Sequence, residues 1–302
     1  MKKIIYIVIA VIGYFSANAQ VMPEYSLYNQ NLLLYNPAVV GINGGITANV
    51  GHKIQWIGVK EAPQNTYVSV DGLLTNSMGL GIVAGRQSAG LLDISNISLN
   101  YSYRVGITAN QSIAFGLNMN FLQNKVSTSG LNETEMFDPA LNSNKFDASI
   151  LTSGFGISYR VQNFSLDVSS PILFSYQEDK IMQQVFSFAA YDFYLSNNIW
   201  RLQPSVLAVY TSNMPAYADI NLLADWNSNI WMQASYSTNK NVAFAVGVFI
   251  KYIGIAYAYD LSLKPLSTFS SSTHEIMIQI STPYSLSKKK PLYLDKKNRN
   301  TF

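Results

Sequence analysis

The sequence has no cysteine and only two histidines, His52 and His274. Without cysteine, no disulfide can cross-link the fold, and no lipid-modified cysteine can anchor the chain in a membrane. The two histidines lie far apart in the sequence and do not supply the His/Cys spacing that a transition-metal site normally uses. We therefore expect neither a metal nor another cofactor.

Charged residues are also scarce, at 12% of the sequence, which is about half their share in a typical soluble domain. The formal net charge of +3 is too small to argue for a nucleic-acid partner. His274-Glu275 and one of the serines could imitate a Ser-His-acid triad, but no serine lies in a nucleophile-elbow pattern. The sequence therefore predicts a protein that is not an enzyme and does not bind nucleic acid.

Long hydrophobic runs are missing as well. No stretch reaches the roughly eighteen consecutive apolar residues of a candidate transmembrane helix. The apolar run at residues 4–15 is shorter, follows the basic residues Lys2 and Lys3, and precedes the small residues Ala17-Asn18-Ala19. This is the pattern of a secretory signal peptide. We predict that residues 1–19 are removed on export and that the mature chain begins at Gln20.

The sequence is dominated instead by an alternation of apolar and polar residues, which is clearest at residues 94–126. Two long stretches, joined at Ala109-Asn110-Gln111, carry large side chains on one parity and small or polar side chains on the other. The large residues are Ile97, Leu99, Tyr101, Tyr103, Val105, Ile107, Ile113, Phe115, Leu117, Met119 and Phe121. Successive side chains of a strand point to opposite faces, so each stretch is a strand with one apolar face. Strands of about 9–11 residues can cross a bilayer with that face toward lipid.

The same alternation predicts an all-β protein, a transmembrane antiparallel β-barrel of about fourteen strands at residues 44–284. The predicted strands are 44–52, 65–72, 78–85, two in 94–126, then 147–161, 164–170, 183–194, 200–211, 217–226, 230–237, 242–251, 252–261 and 273–282. Strand boundaries shift by a few residues in such predictions, which leaves twelve and sixteen strands as alternatives.

The connections between these strands alternate in length. The odd-numbered ones, such as 53–64, 86–93, 127–146 and 171–182, are longer, with 238–241 as an exception, and the even-numbered ones have only a few residues. Bacterial barrels pair short periplasmic turns with longer external loops. We therefore expect an outer-membrane location with both termini in the periplasm.

Two segments outside the barrel pattern need separate interpretations. Residues 20–43 show no alternation and contain Asn36-Pro37, which predicts an irregular segment in the lumen or at the periplasmic mouth. We expect the glycine face of the third strand, with Gly79 and Gly81, to point toward this segment. Residues 285–302 are either a solvated, disordered periplasmic tail or a docking site for an acidic partner. The basic residues of this tail are Lys288, Lys289, Lys290, Lys296, Lys297 and Arg299.

Two further residue sets have expected places in a barrel. The four tryptophans lie near strand ends and are interpreted as interfacial girdle residues: Trp56, Trp200, Trp226 and Trp231. Several charged residues lie on or beside the inward parity, where they line water or pair with each other: Asp93, Arg104, Asp147, Arg160 and Asp167.

A combination of motifs follows residue 33. It consists of Leu34-Tyr35-Asn36-Pro37-Ala38 and Gly41, then His52-Lys53-Ile54-Gln55-Trp56, then Ala62-Pro63-Gln64-Asn65-Thr66 leading to Asp71, then Met78-Gly79-Leu80-Gly81. This combination resembles the PorP/SprF family of type IX secretion system outer-membrane proteins of Bacteroidetes. Arginine, which often precedes Gln-Trp in the family, is replaced here by His52 and Lys53. The resemblance implies structural roles for Asn36, Pro37, Ala38, Gly41, Gln55, Trp56, Pro63, Asp71, Gly79 and Gly81.

The resemblance also implies a non-enzymatic role in the secretion or surface attachment of large cargo proteins, including gliding adhesins. The implied partners are a cargo protein with a type B C-terminal domain and other type IX secretion or periplasmic components, within outer-membrane lipid. The expected cargo-docking loop residues are Phe137, Asp138, Pro139, Tyr176 and Phe269. The alternative function is a passive or substrate-selective outer-membrane pore, because alternation does not distinguish an open lumen from a plugged one.

Overall fold

The computed structural model describes residues 24–126, 148–176, 183–196, 199–212, 214–263 and 272–282. Fifteen strand segments in this part of the chain form one antiparallel sheet. They are β1 (Thr47–Ile54), β2 (Gln64–Leu73), β3 (Met78–Ala89), β4 (Leu92–Thr108), β5 (Gln111–Val126), β6 (Ala148–Val161), β7 (Phe164–Ser175), β8 (Gln184–Tyr191), β9 (Phe193–Leu195), β10 (Trp200–Thr211), β11 (Tyr217–Trp226), β12 (Ile230–Ser237), β13 (Asn241–Ile250), β14 (Ile253–Ser262) and β15 (Ser272–Ser281).

The sheet closes on itself, because β1 pairs with β15 as well as with β2, and β10 pairs with β11. β8 and β9 are separated by Asp192 alone and both pair with β10, so they are two parts of one interrupted strand. The fold is therefore a closed antiparallel barrel of fourteen strands, which confirms the predicted fold class and strand number.

The alternation of the sequence becomes the two surfaces of the wall. In β4, Leu99 is 49% exposed on the outside, whereas its neighbour Asn100 is 2% exposed on the inside. Leu99 pairs with Met119 across β5, and Asn100 pairs with Asn118. Each face therefore continues from strand to strand, with an apolar exterior suited to lipid and a small or polar interior.

The two mouths of the barrel differ in their connections. We call one mouth the turn end, where the connections are 74–77, 109–110, 162–163, 196–199, 227–229 and 251–252. The other is the loop end, with connections 55–63, 90–91, 127–147, 176–183, 212–216, 238–240 and 263–271. β1 starts and β15 finishes at the turn end.

The predicted connection 86–93 is wrong. β3 and β4 continue as a hairpin until Ala89 pairs with Leu92, which leaves only residues 90–91 between them. Gly90 adopts a positive φ of 57°, which a two-residue turn needs. Arg86 Nε also donates to Asp93 Oδ1 at 3.0 Å across the hairpin. Charge pairing and a turn glycine therefore extend these strands beyond the alternating apolar region.

The girdle interpretation is wrong for Trp231. Trp56, Trp200 and Trp226 are exposed, and the last two face each other across β10 and β11. Trp231 points inward and is only 4% exposed. It pairs with Gly247 of β13, where an added Cβ would collide with the indole ring. The missing side chain at Gly247 leaves the space for an aromatic ring inside the barrel.

No helix within the described ranges is both long and apolar enough to cross a membrane. Several predicted features lie outside the described residues: the signal peptide at 1–19, the loop residues Phe137, Asp138, Pro139 and Phe269, and the basic residues of the tail at 285–302.

Candidate functional site

The lumen is filled by residues 24–43, which we call the plug. Three short 3-10 helices form much of it: Tyr28–Gln30, Leu32–Leu34 and Pro37–Val39. Its buried apolar residues pack together with inward residues of the wall; they are Tyr25, Leu27, Tyr28, Leu33, Leu34, Tyr35, Val39 and Val40. Tyr35 and Phe186, for example, have ring centroids 4.9 Å apart. The plug therefore supplies the hydrophobic core that a water-filled barrel lacks.

Asn36 sets the conformation of the plug at its third helix. Its Oδ1 accepts a hydrogen bond from Ala38 N at 2.9 Å, which caps the helix that begins with Pro37. Its Nδ2 donates to Ile157 O at 3.1 Å and reaches Asp167 Oδ1 at 3.4 Å. Asn36 thus joins the plug to β6 and β7, which gives a physical reason for an asparagine before this proline.

Two glycines of the wall make room for this helix. Gly116 of β5 and Gly156 of β6 are directly paired and both face the lumen. A Cβ on Gly116 would collide with the backbone of Pro37 and Ala38, and a Cβ on Gly156 would collide with Asn36 Oδ1. Sequence reasoning missed this pair. The available signal was a glycine on the inward parity in two consecutive strands.

Replacing Gly116 with alanine should destabilise the protein by about 1–3 kcal/mol, because the backbone it meets cannot move aside without shifting the helix. The matched control is Gly85→Ala, where the added Cβ would meet the side-chain amide of Asn96, which can rotate away. The measurement is unfolding in detergent by urea, followed by tryptophan fluorescence. Equal stability losses in the two variants would show that the close approach at Gly116 is not important.

The end of the plug contacts the wall through other motif residues. Gly41, with φ of +69°, donates its N–H to Asp71 Oδ2 at 2.7 Å. A Cβ on Gly79 would lie 2.7 Å from Val40 O, and one on Gly81 would lie 3.3 Å from Leu33 Cδ2. The prediction that the glycine face points toward the N-terminal segment is confirmed at both glycines.

The remaining motif residues lie elsewhere. Gln55 N donates to Pro63 O at 2.9 Å and closes the base of the 55–63 connection. Trp56 is 46% exposed in that connection and has a positive φ of 51°. The motif residues therefore divide into a group around the plug and a second group at the loop end.

A buried charge cluster holds the first part of the plug. Lys53 Nζ lies 2.9 Å from Asp260 Oδ2 and 3.9 Å from Glu275 Oε2, and also donates to Ser26 Oγ at 3.0 Å. Ser26 N donates to Glu275 Oε2 at 2.7 Å, and Gln233 Nε2 donates to Ser26 O at 2.9 Å. The side chains of Lys53 and Glu275 are 6% and 0% exposed. The cluster joins the plug to β1, β12, β14 and β15. The spacing of these residues along the sequence does not predict that they form a cluster.

The plug runs lengthwise through the barrel. Tyr28 Oη donates to Asp219 Oδ1 at 2.9 Å near the start of β11, and Glu24 shares a small cavity with Ser237, so both lie toward the loop end. Val40 O, in contrast, accepts a hydrogen bond from Ser102 Oγ at 2.9 Å, and β1 then starts at the turn end. The plug therefore begins toward the loop end and finishes toward the turn end, where β1 starts.

Two further residues singled out in the sequence, Tyr176 and Arg160, lie outside the motif groups and the buried charge cluster. Tyr176 is 65% exposed at the loop end, directly after β7. The inward Arg160 pairs with Asp167, with Nη2 and Oδ2 2.8 Å apart, so this charge is paired as expected. No group of three or more His, Cys, Asp or Glu side chains that could hold a metal occurs in the part of the chain that the structure describes.

An apolar exterior, a closed sheet of fourteen strands and a filled lumen define a plugged outer-membrane β-barrel. The sequence matches the family described as type IX secretion system membrane protein PorP/SprF over residues 17–280, and the chain belongs to this family. The resemblance found in the motifs is thereby confirmed. The protein is an outer-membrane barrel of the type IX secretion system.

Solved structures confirm the barrel fold. The deltaS2S3 mutant of the monoaromatic hydrocarbon channel TodX aligns with a TM-score of 0.52 and 12% identity, over 83% of this chain and 93% of that chain. The CymD monoaromatic hydrocarbon channel aligns with a TM-score of 0.50 and 12% identity, over 82% of this chain and 91% of that chain. At this identity the likeness concerns the fold alone. A comparison with curated proteins found no match.

Proposed function

We propose that this barrel acts without chemistry of its own, as a docking protein for the secretion or surface attachment of large cargo proteins such as gliding adhesins. Family membership supports the place in the secretion system. The docked element is the cargo's type B C-terminal domain, which the resemblance implies. Other secretion or periplasmic components contact the opposite mouth.

The observation that carries this proposal is the filled lumen. The plug makes hydrogen bonds to widely separated parts of the wall, including Ser69 of β2, Ser102 of β4, Ser169 of β7 and Asp219 of β11. A segment held from several sides obstructs the lumen. A barrel obstructed in this way has its outer surfaces and its two mouths available for function.

The proposed orientation puts the loop end outside the cell. The long connections 127–147, 176–183 and 263–271 all lie at this end, as external loops do in bacterial barrels. Thr282 and the tail that follows it then face the periplasm. Glu24, the first described residue, lies toward the loop end, and the predicted mature N-terminus at Gln20 lies outside the described residues.

The loop-end residues proposed for cargo docking are Phe137, Asp138, Pro139, Tyr176 and Phe269. Tyr176, the described member of this set, has the exposure that a docking aromatic needs. The proposed contacts on the periplasmic side are the basic residues of the tail.

Isolation of tagged barrel from native membranes should recover a cargo protein through its C-terminal domain. Replacing residues 127–146 with a glycine-serine linker should abolish this recovery, because it removes the proposed contact surface. The matched control replaces the tail at 285–302 with a linker of equal length, which leaves the loop end intact. Absence of cargo from the unaltered complex, or undiminished recovery by the loop variant, would refute docking at the loop end.

The alternative is a passive or substrate-selective pore. It is favoured by a cavity of about 1010 Å³ inside the turn end, and the two aligned structures are monoaromatic hydrocarbon channels. The plug lies between this cavity and the loop end. Planar-bilayer conductance distinguishes the two functions.

A further inference from the structure

A cavity of about 1010 Å³ lies inside the turn end, and we call it the recess. Hairpin residues 109–111, 162–163 and 228–229 surround it, and the plug residues Leu32 and Ile42 lie on its inner side. This volume is at the upper end of the usual range for ligand sites. The recess is therefore large enough for a ligand of at least drug size.

The arginines in the wall of the recess are held in ion pairs. Arg160 Nη2 lies 2.8 Å from Asp167 Oδ2. Arg201 lies between two carboxylates, with Nη1 3.6 Å from Asp192 Oδ1 and Nη2 2.9 Å from Asp225 Oδ2. A charged ligand would have to compete with these pairs, so the charges of the wall do not favour an acidic or a basic ligand.

The recess is instead rich in side-chain amides. Asparagine and glutamine are 42 of the 302 residues of the sequence but 10 of the 29 residues that line the recess. Six of these ten make no side-chain hydrogen bond to another residue in the described part of the chain: Gln30, Gln111, Gln162, Asn163, Asn229 and Gln279. They belong to the plug, to β5, to two hairpin turns and to β15, so amides reach the cavity from several sides.

An amide group offers both hydrogen-bond donors and an acceptor, and a hydroxyl group does the same. A ligand with hydroxyl groups all around it can therefore use amides that converge from several sides. An apolar ligand would leave these amides unpaired, which costs binding free energy. An extended peptide presents its backbone donors and acceptors only along the two edges of the strand, which suits a sheet edge better than a surrounding wall. The arrangement of the amides therefore favours a saccharide.

We propose that the recess binds a neutral saccharide, such as the end of a glycan chain, through this ring of amides. Gln30 of the plug and Gln279 of β15 hold it from the inner side and from the wall. The site lies at the opposite mouth from the loops proposed for cargo docking, so the proposal goes beyond that function. In the proposed orientation of the barrel, the glycan is on the periplasmic side.

The first test is calorimetric titration of the full-length protein in a detergent without a sugar headgroup. The probe is the N-acetylated trisaccharide of chitin, which is neutral, and we expect it to bind with an affinity that stays within about twofold as salt is added. Salt independence distinguishes amide contacts from attraction by Lys251, which is exposed beside the recess. Absence of binding would show that the recess holds only water and would overturn the proposal.

Matched variants locate the site. Gln279→Leu and Gln30→Leu each remove one amide from the recess and should each weaken binding about two- to tenfold, the effect of one lost hydrogen bond. The control is Gln87→Leu, because Gln87 has the inward parity of β3 but lies near the loop end. It should leave the affinity unchanged. Equal losses in all three variants, or no loss in either recess variant, would overturn the proposal.

Two further probes identify the ligand. A neutral heptapeptide of alternating serine and glycine should not bind, and binding as tight as that of the trisaccharide would assign the recess to polypeptide and overturn the proposal. Sedimentation of the protein with purified cell-wall sacculi would assign the ligand to cell-wall glycan. Trisaccharide binding without sedimentation would assign it to a soluble oligosaccharide, and either result supports a saccharide site. All of these measurements are independent of cargo recovery, so their failure leaves docking at the loop end standing.

Discussion

Replacing Lys53 with methionine should destabilise the barrel by about 3–5 kcal/mol, the cost of removing one partner from a buried ion pair. Lys53 supplies one positive charge between two carboxylates, Asp260 and Glu275, in a region where its own side chain is 6% exposed. Methionine has a similar shape but no charge, so the substitution leaves the two carboxylates facing each other in a poorly solvated place.

The matched control for this prediction is Lys60→Met. Lys60 lies 3.4 Å from Glu61, but its side chain is 92% exposed, and such pairs contribute less than about 1 kcal/mol. Urea unfolding in detergent, followed by the gel-mobility shift of the heated barrel, measures both variants. If Lys53→Met lost no more stability than Lys60→Met, the buried charge cluster would not be important for the stability of the barrel. Adding Glu275→Gln to Lys53→Met should recover part of the stability, because it removes one unpaired charge.

The intact protein should show a closed baseline in planar bilayers, and deletion of residues 24–43 should change this to a steady current at least about tenfold larger. The reason is that the plug lies in the lumen between the cavity at the turn end and the loop end, and its hydrogen bonds to β2, β4, β7 and β11 hold it in place. Removing it leaves an interior that combines small polar side chains, such as Ser69 and Ser102, with inward rings such as Phe186, Phe188 and Trp231.

The control for the conductance measurement is deletion of residues 285–302, which lies outside the barrel pattern and should keep the baseline closed. A steady current through the intact protein would contradict the filled lumen and favour the pore. The measurement on the intact protein is informative even if the variant that lacks residues 24–43 does not fold. A plug-deleted barrel that inserts but remains closed would show that something other than residues 24–43 blocks it.

The strands were predictable because the signal for each strand is local. In β4 and β5 the alternation runs through more than a dozen residues, and the hairpin turn at 109–110 appears where it stops. The motif Asn36-Pro37-Ala38 was recognisable for the same reason, since its residues are adjacent. The extension of β3 and β4 to residues 90–91 was missed, because the ion pair of Arg86 and Asp93 replaces the apolar signal there.

The interior was much less predictable. Trp231 was misplaced because its inward position depends on Gly247, a residue of the neighbouring strand. The pairing of Gly116 with Gly156 depends on the register between β5 and β6, which the sequence does not state. The partners of Lys53 are Ser26 near one end of the chain and Asp260 and Glu275 near the other, so no spacing rule connects them.

By itself the sequence determined the class of fold, the approximate strands and the family, because side-chain alternation and short motifs are properties of neighbouring residues. Only the tertiary structure decided that residues 24–43 occupy the lumen, in which direction this plug runs, and that a cavity remains at the turn end. Those features arise when the closed barrel brings residues from distant strands around residues 24–43. Contacts of this kind depend on register and closure, which are settled by the whole sheet at once.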